Sequence, residues 1–127
     1  YAAMYFDFNT FKPKADNPWF NTEARHPFNV FNDMNHESDY TKKYVDTVNY
    51  YWLNEYKVDG FRFDLSKGFT QTNNPSNVGA WSAYDASRVA LLKRMADKIW
   101  EHSPDAYVIL EHLGENGEEK ELAEYRY

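Results

Sequence analysis

The chain has 127 residues, enough for one ordinary domain, and its 43% hydrophobic and 27% charged residues make a globular rather than a disordered composition. A formal net charge of -6 and the lack of any Lys/Arg block exclude a phosphate-tracking surface of the kind nucleic-acid binding relies on. Cysteine is absent, which excludes a disulfide framework and a thiolate metal site, and no run of about 18 apolar residues exists to span a membrane.

Residues 1–37 show no sustained hydrophobic period and are rich in Asn, Pro and aromatic residues. They read as an irregular excursion, and a long structureless loop within a domain is usually functional. The short "MYFDF" segment is expected to be a strand. The opening "YAAMYFDFNTF" lacks the charged and apolar segments of a signal peptide and does not start with Met, so the chain is expected to be a piece of a longer protein. Aromatic residues make up 19% of the chain; most are expected in the core, with some left as polar-tipped platforms for a ligand.

From about 39 to 57 the pattern is helical, with Val45, Val48, Trp52 and Tyr56 recurring on one face and Ser38 or Asp39 as the N-cap. A strand follows over about 58–65, then a polar loop over 66–82, long for a strand-to-helix connection. A second helix is expected over about 83–102, with Val89, Leu92, Ala96 and Ile99 as its apolar stripe. Ser103-Pro104 stops it, because proline disfavours a helical residue before it and lacks an N–H. A strand over about 106–111 and a helix over about 117–127, capped by Asn116, complete the order. Alternating helices and short apolar strands imply parallel strands with crossover helices. Two such strands are not a stable sheet alone, so they are expected to belong to a larger parallel sheet.

The first of these strands carries charge where burial is expected. In Gly60-Phe61-Arg62-Phe63-Asp64, alternation puts Arg62 and Asp64 on one face and the two phenylalanines on the other. A buried Arg–Asp pair is tolerable as a structural ion pair or as the lining of a wet cavity. The second strand ends in Glu111. Parallel α/β sheets place ligands at the carboxyl ends of their strands, and if the two strands are neighbours, Asp64 and Glu111 come within about 5 Å of each other. That separation suits the nucleophile and acid/base of a retaining glycosidase, whereas an inverting enzyme needs room for a water. The same carboxylates could bind a divalent metal, with His26, His36 and His112 as further donors. There is, however, no H-E-x-x-H, and the sequential Glu111 and His112 point to opposite faces of their strand.

Three segments carry a family resemblance. "DGFRFDLSK" resembles the nucleophile motif G-x-R-x-D-x-x-K-H of the α-amylase family, glycoside hydrolase family 13; Gly60, Arg62, Asp64 and Lys67 match, and Gly68 stands in place of the final His. "YVILEHLGEN" resembles the next motif, in which a strand ends in the acid/base Glu, here 47 residues beyond Asp64. "FNDMNHES" resembles the motif that closes the family's protruding B domain, with Asp33 where relatives often bind calcium.

The resemblance implies an α/β fold that is a portion of a (β/α)8 TIM barrel. Residues 1–37 would be a B-domain-like excursion and 38–127 about two βα units of the catalytic barrel. It implies a retaining glycoside hydrolase acting on α-linked glucans, with Asp64 as nucleophile, Glu111 as acid/base and Arg62 orienting Asp64. Lys67 and His112 would contact the substrate, with Lys67, like Arg62 and Asp64, facing the sugar cavity. No cofactor is required for the chemistry, and Asp33 would hold a structural calcium. The partner is an α-glucan polysaccharide or oligosaccharide. A branching enzyme or other transglycosylase shares this mechanism, and an inactive relative of the family is a further alternative. The family's Asn-His pair would precede Tyr1, and its third carboxylate, in an N-H-D motif, would follow Tyr127.

Overall fold

The structure is a computed structural model and describes residues 4–125, so the ends of the excursion and of the last helix expected from the sequence, at 1–3 and 126–127, lie outside the described residues. The described residues form a small mixed α/β domain of nine elements. Strands β1 (Phe6–Asp7) and β2 (Lys12–Pro13) pair antiparallel within the irregular N-terminal segment. The rest of that segment is held by turns and by scattered bonds between distant residues, among them the Asn21 amide to Asp33 O and the Asn35 amide to Trp19 O, rather than by a ladder. Asn17 Oδ1 accepts from the amides of Trp19 and Phe20, and Phe20 makes a single bridge to Met34. A segment with few regular backbone bonds must satisfy its polar groups in this way.

Helix α1 (Asp39–Glu55) begins at Ser38 as expected, but the Ser38 hydroxyl donates to the Pro18 carbonyl and not to the helix. Its buried face agrees with the expected one at Val45 and is otherwise shifted round the helix. Thr41, Asn49 and Leu53 are buried with Val45 against the core, while Trp52 and Tyr56 are exposed. Leu53 meets Leu92, Met95 and Ile99, and once that contact is made the aromatic row lies too far round the helix to reach the core.

Strand β3 (Gly60–Phe63) pairs in parallel with β4 (Tyr107–Leu110), Gly60 opposite Tyr107 and Phe63 opposite Leu110. A Cβ at position 60 would collide with the Tyr107 carbonyl oxygen, so the close strand approach requires glycine there. The expected loop over 66–82 contains a single 3₁₀ turn (Ser66–Gly68) and a short helix, α2 (Val78–Ser82), capped by Asn77 Oδ1 on the Ala80 amide. Helix α3 (Ala86–His102) starts later than expected because Asp85 is its cap, accepting from the amides of Ser87 and Arg88. Its stripe of Val89, Leu92, Ala96 and Ile99 is buried as the sequence indicates. Helix α4 (Asn116–Ala123) is capped by the Glu115 carboxylate and not by Asn116, because a side chain one residue earlier reaches the amides of Gly117 and Glu118.

The helices cover one face of the β3–β4 pair. Phe61, Phe63, Val108 and Leu110 pack against the core of Leu53, Leu92, Met95 and Ile99. The opposite face is bare, with Tyr107, Ile109, Arg62 and Asp64 open to solvent.

Candidate active site

The site is built by strand register. The backbone ladder runs one step past each strand, with the Glu111 amide donating to Phe63 O at 3.0 Å and the Ser66 amide donating to Glu111 O at 2.9 Å. Asp64 and Glu111 therefore end neighbouring parallel strands on the bare face, as adjacency of the two strands requires. Arg62 joins them. Its Nη1 donates to Asp64 Oδ1 at 2.9 Å and its Nη2 lies 3.1 Å from Glu111 Oε1. The Leu65 amide donates to Glu111 Oε2 at 3.0 Å, so both carboxylate oxygens of Glu111 are oriented.

Exposure separates the three. The Asp64 side chain is 80% accessible, Arg62 53% and Glu111 37%. Asp64's carboxyl is held below its ordinary range, first by the hydrogen bond from Arg62 and next by hydrogen bonding with Glu111. Arg62 is correspondingly raised by the same bond and by the charge of Glu111. An accessible Asp kept ionised by an adjacent guanidinium is suited to act as a nucleophile.

Lys67 does not face this cluster. Its ammonium is turned inward, donating to Ser82 Oγ at 2.9 Å and Leu113 O at 3.1 Å and lying 4.3 Å from the centre of the Trp81 ring. Desolvation first, and then the nearby Arg88, lowers its pKa. The sequence places Lys67 towards the sugar cavity; in the structure it lies in the 3₁₀ turn at 66–68 and is buried. His112 is likewise buried, at 5% exposure, with Nδ1 2.9 Å from Ser66 Oγ and Nε2 2.8 Å from Glu118 Oε1. Strand alternation sends it to the helix side when Glu111 goes to the open side.

Asp33 lies apart from the strand ends, in the N-terminal segment. Its Oδ2 accepts from Asn21 Nδ2 and the Arg25 amide, and Oδ1 lies 3.2 Å from His26 Nε2. His26 in turn stacks on Trp81 with ring centres 4.9 Å apart. The pair shifts both partners, His26 upward through its bond to Asp33, and Asp33 downward because its hydrogen bonds, His26's first, outweigh a burial effect that opposes them. A calcium site needs several converging oxygens. Here the carboxylate already faces nitrogen donors, and among the described residues no group of three or more His, Asp or Glu side chains is arranged to hold a metal ion.

Sequence reasoning missed three parts of this region: the Leu65 amide on Glu111, and Arg88 and Glu118 beneath it. Arg88 carried a usable signal, since it lies on the same α3 face as Leu92 and Ile99. A charge on an apolar stripe demands a buried partner. Glu118 gave no such signal, because an acidic residue in the first turn of a helix is ordinarily solvated there. Comparison with known protein families and with curated proteins finds no match to the chain.

Proposed function

We propose that this chain is part of the catalytic barrel of a retaining glycoside hydrolase acting on α-linked glucans. One observation carries the reading: Asp64 and Glu111 end adjacent parallel strands on the same open face, bridged by the single guanidinium of Arg62. In the proposed reaction the Asp64 carboxylate attacks the anomeric carbon while Glu111 gives its proton to the departing glycosidic oxygen, leaving a glycosyl ester on Asp64. Glu111 then takes a proton from water, whose oxygen attacks the same carbon and releases Asp64. Arg62 keeps Asp64 ionised and aimed. The glucan class rests on the resemblance of the Gly60–Lys67 and Tyr107–Asn116 segments to the α-amylase motifs.

The barrel itself is supported by what the sheet leaves unfinished. Among the described residues β3 and β4 pair only with each other, and their far face exposes Tyr107 and Ile109 beside the charged cluster. Parallel strands are ordinarily covered on both faces and flanked by further strands. No described helix is long and apolar enough to cross a membrane. Following the anomeric configuration of the first product by NMR in the intact protein tests the reaction. Release of the α-anomer is expected, and release of the β-anomer would contradict the assignment of Asp64 and Glu111.

A further inference from the structure

Beneath the open cluster lies a second, buried one. Arg88 and Glu118 are both fully buried, and every polar hydrogen and lone pair between them is used. Arg88 Nε and Nη2 donate to the two Glu118 oxygens at 2.6 and 2.7 Å, while Nη1 reaches the carbonyls of Lys67 and Trp81 and Nη2 that of Ala83. Glu118 also accepts from the Asp85 amide and faces His112 Nε2. An ionised carboxylate only accepts, so Nε2 carries a proton towards Glu118, and Nδ1 pairs with the Ser66 hydroxyl. The resulting chain, Ser66–His112–Glu118, has the residue types of a charge relay. Ser66 is nevertheless fully buried and Glu118 is neutralised by Arg88, so no substrate carbonyl can reach the hydroxyl.

We propose that Ser66 and His112, anchored by Glu118 and Arg88, are positioning residues for the Glu111 carboxylate; this rests on reading Glu111 as the acid/base. Glu111 is gripped by one turn: Leu65 donates its amide to Oε2 and Ser66 donates its amide to the Glu111 carbonyl. Leu65 sits in the left-handed region at φ 44°, ψ 52°, a conformation that a branched residue does not keep unless its neighbours hold it. The hold comes from both sides of the same network. Ser66 follows Leu65 and is fixed through its hydroxyl to His112; His112 follows Glu111 and is fixed to Glu118. The Lys67 carbonyl, one residue further, receives both Arg88 Nη1 and Trp81 Nε1. A fully satisfied polar network of this kind is rigid, and rigidity is what a proton donor needs at the scissile oxygen.

The test compares two substrates in the intact protein. A maltooligosaccharide has a leaving sugar that needs the Glu111 proton, whereas α-maltosyl fluoride has a leaving group that departs without it. Ser66→Ala is expected to lower kcat/KM about tenfold on the oligosaccharide and less than about twofold on the fluoride. His112→Gln, which retains an N–H toward Glu118, should fall less on the oligosaccharide than Ser66→Ala and show the same split. Equal losses on both substrates, or no loss on either, would overturn the positioning role; thermal denaturation of both variants establishes that they are folded. Glu111→Gln is the control for the underlying reading. A large loss confined to the oligosaccharide sustains it, and unchanged oligosaccharide hydrolysis removes the acid/base assignment and the inference with it.

Discussion

The two faces of the β3–β4 strand ends carry the same kinds of side chain and treat them in opposite ways. On the open face Arg62 bridges Asp64 and Glu111 in contact with solvent. On the helix side Arg88 and Glu118 meet with no solvent at all, and His112 and Ser66 complete the set. An exposed ion pair contributes little to stability, because water already solvates its charges. A buried pair is different: its partners are indispensable to each other once desolvated. The contrast separates a group of charges kept accessible, suited to chemistry, from a group sealed to hold geometry. Residues adjacent in sequence, Glu111 and His112, fall on opposite sides of that line by strand alternation alone.

The comparison can be broken at either face. The largest effect is expected at Asp64. Asp64→Asn should lower kcat by about four orders of magnitude, ~5.5 kcal/mol of barrier, with the melting midpoint nearly unmoved. Steady-state kinetics and calorimetry on the intact protein check both halves, and a variant that melts much earlier would put Asp64 with the structural set. Next comes Arg88→Met, which strands a buried Glu118. A loss of about 3–5 kcal/mol in denaturant-induced unfolding is expected, and a loss below about 1 kcal/mol would show that the buried set is dispensable.

The smallest expected effect sharpens the role of burial away from both clusters. His36 stacks on Phe69 with ring centres 4.1 Å apart, and burial lowers its pKa to about 4. A histidine whose folded pKa is depressed binds its proton more readily when unfolded, so stability falls as pH drops below the unfolded value of about 6.5 and continues falling towards the folded one. Between pH 7.5 and 5 the loss is about 2 kcal/mol. His26 carries the opposite sign. Its raised pKa contributes stability that is present below its unfolded value and lost as pH rises through the folded one. Unfolding His36→Gln at the two pH values isolates the first contribution: the variant should lose about 2 kcal/mol less than the parent on acidification, and an identical loss would rule out His36 as its source.

Much of the frame was legible because it rests on periodicity. The α3 stripe and the split of Arg62 and Asp64 from Phe61 and Phe63 follow from spacings of about 3.6 and 2 residues, and the parallel strand pair from the alternation of helices and strands. What was not legible depends on contacts between distant segments. The buried face of α1 was set by Leu53 meeting α3 rather than by the row of aromatics. Lys67 matched a motif, yet the turn at Leu65 and Ser66 took its ammonium under the strand. Alternation points His112 away from Glu111, but its partners, Ser66 and Glu118, lie 46 residues before it and six after it. For Asp33 the motif position carried no information about the nitrogen donors that the fold gathers around it.

The most direct test of the proposed chemistry is covalent trapping. Incubating the intact protein with a fluorinated α-glycosyl fluoride that stalls at the ester, followed by proteolysis and mass spectrometry, reads out which side chain was the nucleophile. A single glycosyl adduct on Asp64, absent in Asp64→Asn, is the expected result. An adduct on Glu111 or on any other residue would contradict the assignment of Asp64.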